Sequence, residues 1–249
     1  AYPSARLEEV AERNIFNPAG RMSGTIGGEF TLKKNFAHPI ATYQEAKRDA
    51  ARAMLNALSG ATKEDGIGIQ ILIRPAMQGW SKAAVSVAEQ IKKDKGIKKG
   101  LSGAGVNLSG IMEALWKPPE STEAKPEEKQ LSSLEQGLVE SIEEKTRYPG
   151  YETLIRVVVS SNTAGKSQAL LGSVVSAFAL FDSSANNGFK FTVSKNIEEF
   201  VTAYIFRFFP QEVNQNILNT VELATIFHLP NQGSIPTSQV QRQMDKQVD

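Results

Sequence analysis

Gly66-Ile67-Gly68-Ile69-Gln70-Ile71-Leu72-Ile73-Arg74-Pro75 is the stretch from which the fold is most directly read. Isoleucine recurs at every second position, 67, 69, 71 and 73, with Gln70, Leu72 and Arg74 between. Side chains alternate faces along an extended chain, so this period of two describes a strand with one apolar face, which Pro75 ends. Upstream, residues 43–58 place Ala46, Ala50, Ala53, Met54, Ala57 and Leu58 on one stripe, with Glu45, Arg48, Asp49 and Arg52 opposite. That spacing predicts an amphipathic helix, ended by Gly60. Farther upstream, residues 29–36 alternate Phe30, Leu32 and Phe36 against Thr31, Lys33 and Asn35, a second half-buried strand. A strand-helix-strand unit is complete. A helix capped by Ser81, with Ala84, Val87, Ala88 and Ile91 as its apolar seam, follows it.

The outline then repeats. Leu131, Leu134, Leu138 and Ile142 mark a helix, and a strand is expected over 152–160, a helix over about 165–181, and a strand over 189–194 behind the turn Asn186-Asn187-Gly188. Further helices are expected over 197–208 and 220–227, the last capped by Thr220, packed through Leu223, Ile226 and Phe227, and stopped by Pro230. Two such units predict an α/β (α+β) chain with a ferredoxin-like four-stranded sheet, helices on one face, and extra helices beyond it. The organisation divides into an arm over 1–27, a first half over 28–116, a charged linker over 117–130, a second half over 131–231 and a loose tail over 232–249.

Composition limits the chemistry. The 249 residues are 41% hydrophobic and 22% charged, enough to bury a core, and 28 Lys plus Arg against 27 Asp plus Glu leave a net charge of +1. That balance supplies no general attraction for nucleic acid, anionic membrane or acidic substrate. The absence of cysteine removes disulfides, thiolate metal sites and thiol nucleophiles, and only His38 and His228 remain as imidazoles. The longest nearly apolar run, 169–181, falls short of the roughly 20 residues that cross a bilayer. The opening Ala1-Tyr2-Pro3-Ser4, without Met or a secretory signal, suggests a processed form or a piece of something longer.

Three motifs could carry function. Gly165-Lys166-Ser167 lies between a strand and a helix, where a phosphate-binding loop would lie, and is the basis of a nucleotide-binding alternative. Ser160 stands where that loop needs its first glycine, and no later strand ends in a magnesium-holding Asp. Residues 92–99 hold five lysines without aromatics, which suits a solvated helix end better than a phosphate track. Lys33, Arg74, Arg156 and Lys190 oppose the main apolar rows and could share one sheet face, the basis of a nucleic-acid-binding alternative. No aromatic accompanies them for stacking, so cover by helices or a partner is the preferred reading. His38 has no nearby acid, and His228 sits in an apolar setting that suits a structural histidine. The pairs Glu127-Glu128, Glu143-Glu144 and Glu198-Glu199 are adjacent in sequence, so on a helix they diverge by about 100°. No nucleophile with a base emerges, and no cofactor, metal or catalytic residue is assigned.

Ile69 to Ala76 with Trp80 beyond, the stretch from Leu218 to Asn231, and residues 155–161 and 176–181 together resemble type IV secretion and conjugation ATPases of very small bacteria. The likeness spans most of residues 28–231 and lies in the region before the motor of those proteins. It implies a non-catalytic, coupling-protein-like domain working at the inner, cytoplasmic face of a membrane through protein partners of a conjugative DNA-transfer apparatus. A homo-oligomer is compatible with it. It implies no ATP site here, since that family's phosphate loop lies after the region matched.

Overall fold

A computed structural model describes residues 9, 14–16, 24–43, 50–92, 131–211 and 216–228. In chain order its elements are β1 (Thr25–Leu32), α1 (Ala50–Ala57), β2 (Gly66–Pro75), α2 (Trp80–Lys92), α3 (Ser133–Lys145), β3 (Gly150–Ser160), α4 (Ala164–Ala177) with a 3-10 turn (Phe178–Phe181), β4 (Phe189–Val193), α5 (Ile197–Ile205), β5 (Ile217–Asn219) and α6 (Thr220–Ile226). The fold is α+β with an open, antiparallel sheet. Its strand order, β2-β3-β1-β4, interleaves the two strand-helix-strand units so that β3 lies between β1 and β2. A fifth strand, β5, pairs with the start of β3, Tyr151 opposite Leu218. At three residues it is too short to produce a readable alternation.

The principal core lies on the face that carries Phe30, Ile155, Val157 and Val159, where α4 delivers Leu170, Leu171 and Val174 and the 3-10 turn delivers Phe178 and Phe181. Phe30 and Phe178 stack with ring centroids 3.9 Å apart. Each fully buried side chain of this size contributes roughly 1.5–3 kcal/mol, so this cluster dominates the stability of the sheet. The run Ala164–Phe181, 18 residues, is long and apolar enough to pass as a membrane span by length and composition, and here its buried side lies on the sheet. A second cluster joins α2 and α3 through Ala84, Ala88, Ile91, Val139 and Ile142, closed by Ala37.

The opposite sheet face is covered by an extra helix, as the preferred reading of its cations has it: Phe200 and Val201 of α5 pack there on Val158, with Tyr204 and Ile15 beside them. Two expectations need correction. Strand β1 runs over Thr25–Leu32 rather than 29–36. Its first half holds Gly27 and Gly28, which show no alternation; a Cβ on Gly27 would collide with the Phe200 ring and the Val157 carbonyl. At the strand's end the Leu32 and Lys34 N–H groups go to side-chain acceptors, Asn216 Oδ1 (2.8 Å) and Asn187 Oδ1 (2.9 Å), with Lys33 N–H between them on the Gly188 carbonyl. Finally, α6 is capped by Asn219 and not Thr220: Asn219 Oδ1 accepts from Glu222 N–H while Glu222 reaches back to Asn219 N–H, a reciprocal capping box. The expected linker over 117–130, the tail over 232–249, Pro230, most of the N-terminal arm and all but Lys92 of the lysine run lie outside the described residues.

Candidate functional site

Gly165, Lys166 and Ser167 open α4, where Thr163 caps the helix by accepting from Lys166 N–H. Ser167 is fully buried. Its hydroxyl donates to the Gly24 carbonyl and lies 2.8 Å from Ser161 Oγ, so it anchors the helix to the end of β3 and to the start of β1. Lys166 reaches Asp65 at 2.7 Å, and the same Asp65 oxygen accepts from Thr62 N–H and Thr62 Oγ1, each at 2.7 Å. Burial tends to raise the Asp65 carboxyl, but Lys166 and the Thr62 backbone and hydroxyl outweigh it and hold the group below its ordinary value. The nucleotide-binding alternative therefore finds its lysine engaged with a buried carboxylate and its hydroxyl withdrawn from the surface.

The four cations of the nucleic-acid alternative are not brought together as an open basic face. Arg156 is 2% exposed, with Nε on Glu29 at 2.9 Å and Nη1 on the carbonyls of Phe208 (2.7 Å) and Ala203 (3.1 Å). Arg74 pairs with Glu152 at 2.6 Å, donates to the Gln211 carbonyl at 2.7 Å, and lies 4.4 Å over the Phe209 ring centroid. Lys33 is past the end of β1 and pairs with Asp182. Lys190 sits exposed on β4, opposite Thr31. In place of an open platform there is a strap: residues 203–211 cross this face and two arginines hold their carbonyls from beneath.

That strap carries the most conspicuous surface of the described residues. Ile205, Phe206 and Phe208 are 54%, 77% and 60% exposed within four consecutive positions. Arg207, between the phenylalanines, has φ of 51°, the left-handed region that glycine adopts without strain. It ends α5 in paired reverse bonds, Arg207 N–H to Tyr204 O and Phe208 N–H to Ala203 O, the arrangement in which helices usually place glycine. Gln70 adds a bond from its side chain to the Tyr204 carbonyl. An exposed aromatic pair is thus presented on a backbone tied to the sheet at several points.

Sequence reasoning missed a buried ion pair. Lys145 Nζ lies 3.0 Å from Glu222 Oε2 and 2.9 Å from the Ile217 carbonyl, with the two side chains 0% and 1% exposed. Glu222 also accepts from Ile40 N–H and Asn219 N–H, so its carboxylate gathers α3, α6 and the loop after β1 around one point. Burial pushes the Lys145 ammonium below its ordinary value, with Glu222 opposing. A cleft of about 160 Å³ over the pair is lined by Pro39, Thr42, Ser141, Glu144 and Tyr148. It is smaller than the roughly 300 Å³ at which pockets for organic ligands begin. The legible signal was Asn219 followed three residues later by Glu222, a capping box; nothing local marks Lys145 as its partner.

Beside this pair, burial, then the nearby Lys34 and Lys145 charges, lower His38 from 6.5 to about 4, and its Nδ1 is enclosed without a hydrogen-bond partner. His38 is thus a neutral packing group at pH 7. Among the described residues no group of three or more acidic or imidazole side chains could hold a metal ion.

The architecture is that of an α+β domain with a strapped sheet face. The chain belongs to the family described as a domain of unknown function, DUF8128, whose model matches residues 1–243. No curated protein and no solved structure matches the chain.

Proposed function

We propose that this chain is a non-catalytic docking domain that acts through protein contacts, within a type IV secretion or conjugative-transfer apparatus at the inner face of a membrane. The ridge of Ile205, Phe206 and Phe208 is the observation that carries the docking role. Large apolar side chains exposed together on a rigid backbone lose little conformational freedom on binding and are the residue types that dominate interface energetics. The side chains that suggested an enzyme are engaged in structure: Lys166 with Asp65, and Ser167 with Gly24 and Ser161. The apparatus is supplied by the sequence resemblance over residues 28–231, which implies a role upstream of a translocating motor.

The reading is tested by placing a photo-crosslinking side chain at position 206 in the native cell and identifying the adducts by mass spectrometry. Adducts to subunits of a secretion or conjugation machine, lost in a Phe208→Ser background, are expected. Adducts only to lipid or nucleic acid would overturn it.

A further inference from the structure

The two edges of the sheet differ in a way that concerns association. Strand β4, at one edge, is five residues long and carries the exposed Lys190, the kind of short, charged edge that resists pairing with other chains. Strand β2, at the other, is ten residues long and has no charge and no proline from Gly66 to Ile73. Its register with β3 is unbroken, from Gly66 opposite Ser160 to Pro75 opposite Tyr151, and continues through the bond from Ala76 N–H to the Gly150 carbonyl. Even-numbered residues therefore direct their backbone groups toward β3. The odd-numbered positions, Ile67, Ile69, Ile71 and Ile73, direct theirs to the outer edge, where no strand pairs with them among the described residues.

From this we infer that the chain forms a twofold dimer by antiparallel pairing of β2 with β2 of a second copy, giving one sheet that runs through both. The sequence is self-complementary in the register centred on Gln70: Ile67 falls opposite Ile73, and Ile69 opposite Ile71. Ile67, Ile69 and Ile71 pack against the core and Ile73 stands half-exposed on the same face, so facing pairs continue the apolar layer across the junction. Each facing pair also exchanges two of the outward backbone bonds. Charge does not oppose a second copy, because Glu64 at one end stands beside Lys63 and Arg74 at the other is paired with Glu152. This pairing goes beyond the docking role of the ridge and does not depend on it.

Analytical ultracentrifugation of the full 249-residue chain across a concentration series tests the pairing. Dimers at micromolar concentration are expected, weakened tenfold or more in Ile73→Pro, which removes an outward donor at a half-exposed side chain and leaves the β3 ladder intact. Ile73→Lys should weaken them in the same direction, because it keeps the backbone donor but sets a charge opposite Ile67 of the second copy, and it carries the test if the proline variant misfolds. Phe206→Ser should leave the dimer unchanged, which separates this edge from the ridge. Amide exchange should slow at Ile67, Ile69, Ile71 and Ile73 as concentration rises. A chain monomeric throughout, a dimer indifferent to both edge variants, or edge amides equally protected in the dilute monomer would each overturn the inference.

Discussion

Lys145 and Glu222, 77 positions apart, form an ion pair from which solvent is wholly excluded, joining the last residue of α3 to the first turn of α6. Removing two charges from water is costly, and the arrangement holds because the carboxylate also accepts two backbone N–H groups and the ammonium also reaches a carbonyl. Glu222→Gln or Lys145→Met should each destabilise the fold by roughly 3–5 kcal/mol, because each leaves a buried partner uncompensated. The double variant Lys145→Met with Glu222→Gln should lose less than the two singles added together. Urea denaturation of the three variants measures this, and additive losses would show that the pair is not coupled.

Stability should fall in two separate pH windows. For His38 the folded value, about 4, is below the 6.5 of the unfolded chain, so the unfolded state binds the extra proton as pH drops. Stability is lost between about 6.5 and 4, by at most about 3 kcal/mol. Asp65, also lowered, is fully stabilising above 3.8 and loses that contribution only as pH falls through its folded value. Thermal melts from pH 7.5 down to 4 should show the first loss, and His38→Asn should flatten it; an unchanged slope would reassign the effect.

Glycines of opposite character should respond oppositely. Gly137 lies inside α3 with nothing near the position of a Cβ, so Gly137→Ala should stabilise by roughly 0.5–1 kcal/mol through helix propensity. Gly27→Ala should destabilise by a kcal/mol or more, because the added carbon meets the Phe200 ring and the Val157 carbonyl. Arg207→Gly should relieve the left-handed strain, by about 1 kcal/mol. Differential scanning calorimetry on the three variants decides the signs.

Titration calorimetry with Mg-ATP should show no binding, and Lys166→Ala should act on stability instead, by roughly 1–3 kcal/mol, since it strips the buried Asp65 carboxylate of its cation. Micromolar ATP binding that disappears in Lys166→Ala would restore Gly165-Lys166-Ser167 as a nucleotide site.

The sequence by itself determined the elements whose periodicity outlasts a turn or two. Alternation of four isoleucines marked β2, and the apolar stripe through Ala50, Ala53, Met54 and Ala57 marked α1, because burial of one face imposes a repeat on the residues that form it. The α+β class followed from their order along the chain. Local chemistry determined less at the ends of elements: Phe227, expected to pack with Leu223 and Ile226, is 69% exposed, since α6 ends at Ile226 and the next residue leaves the helical face. Only the tertiary structure decided the fifth strand, the cover over the second sheet face and the fate of each charge. The sequence names no partner for Arg74, Arg156 or Lys166, because Glu152, Glu29 and Asp65 stand 78, 127 and 101 positions away. A periodic pattern records which face of an element is buried; it carries no record of which distant group arrives there, and that arrival sets the charge, exposure and chemistry of the site.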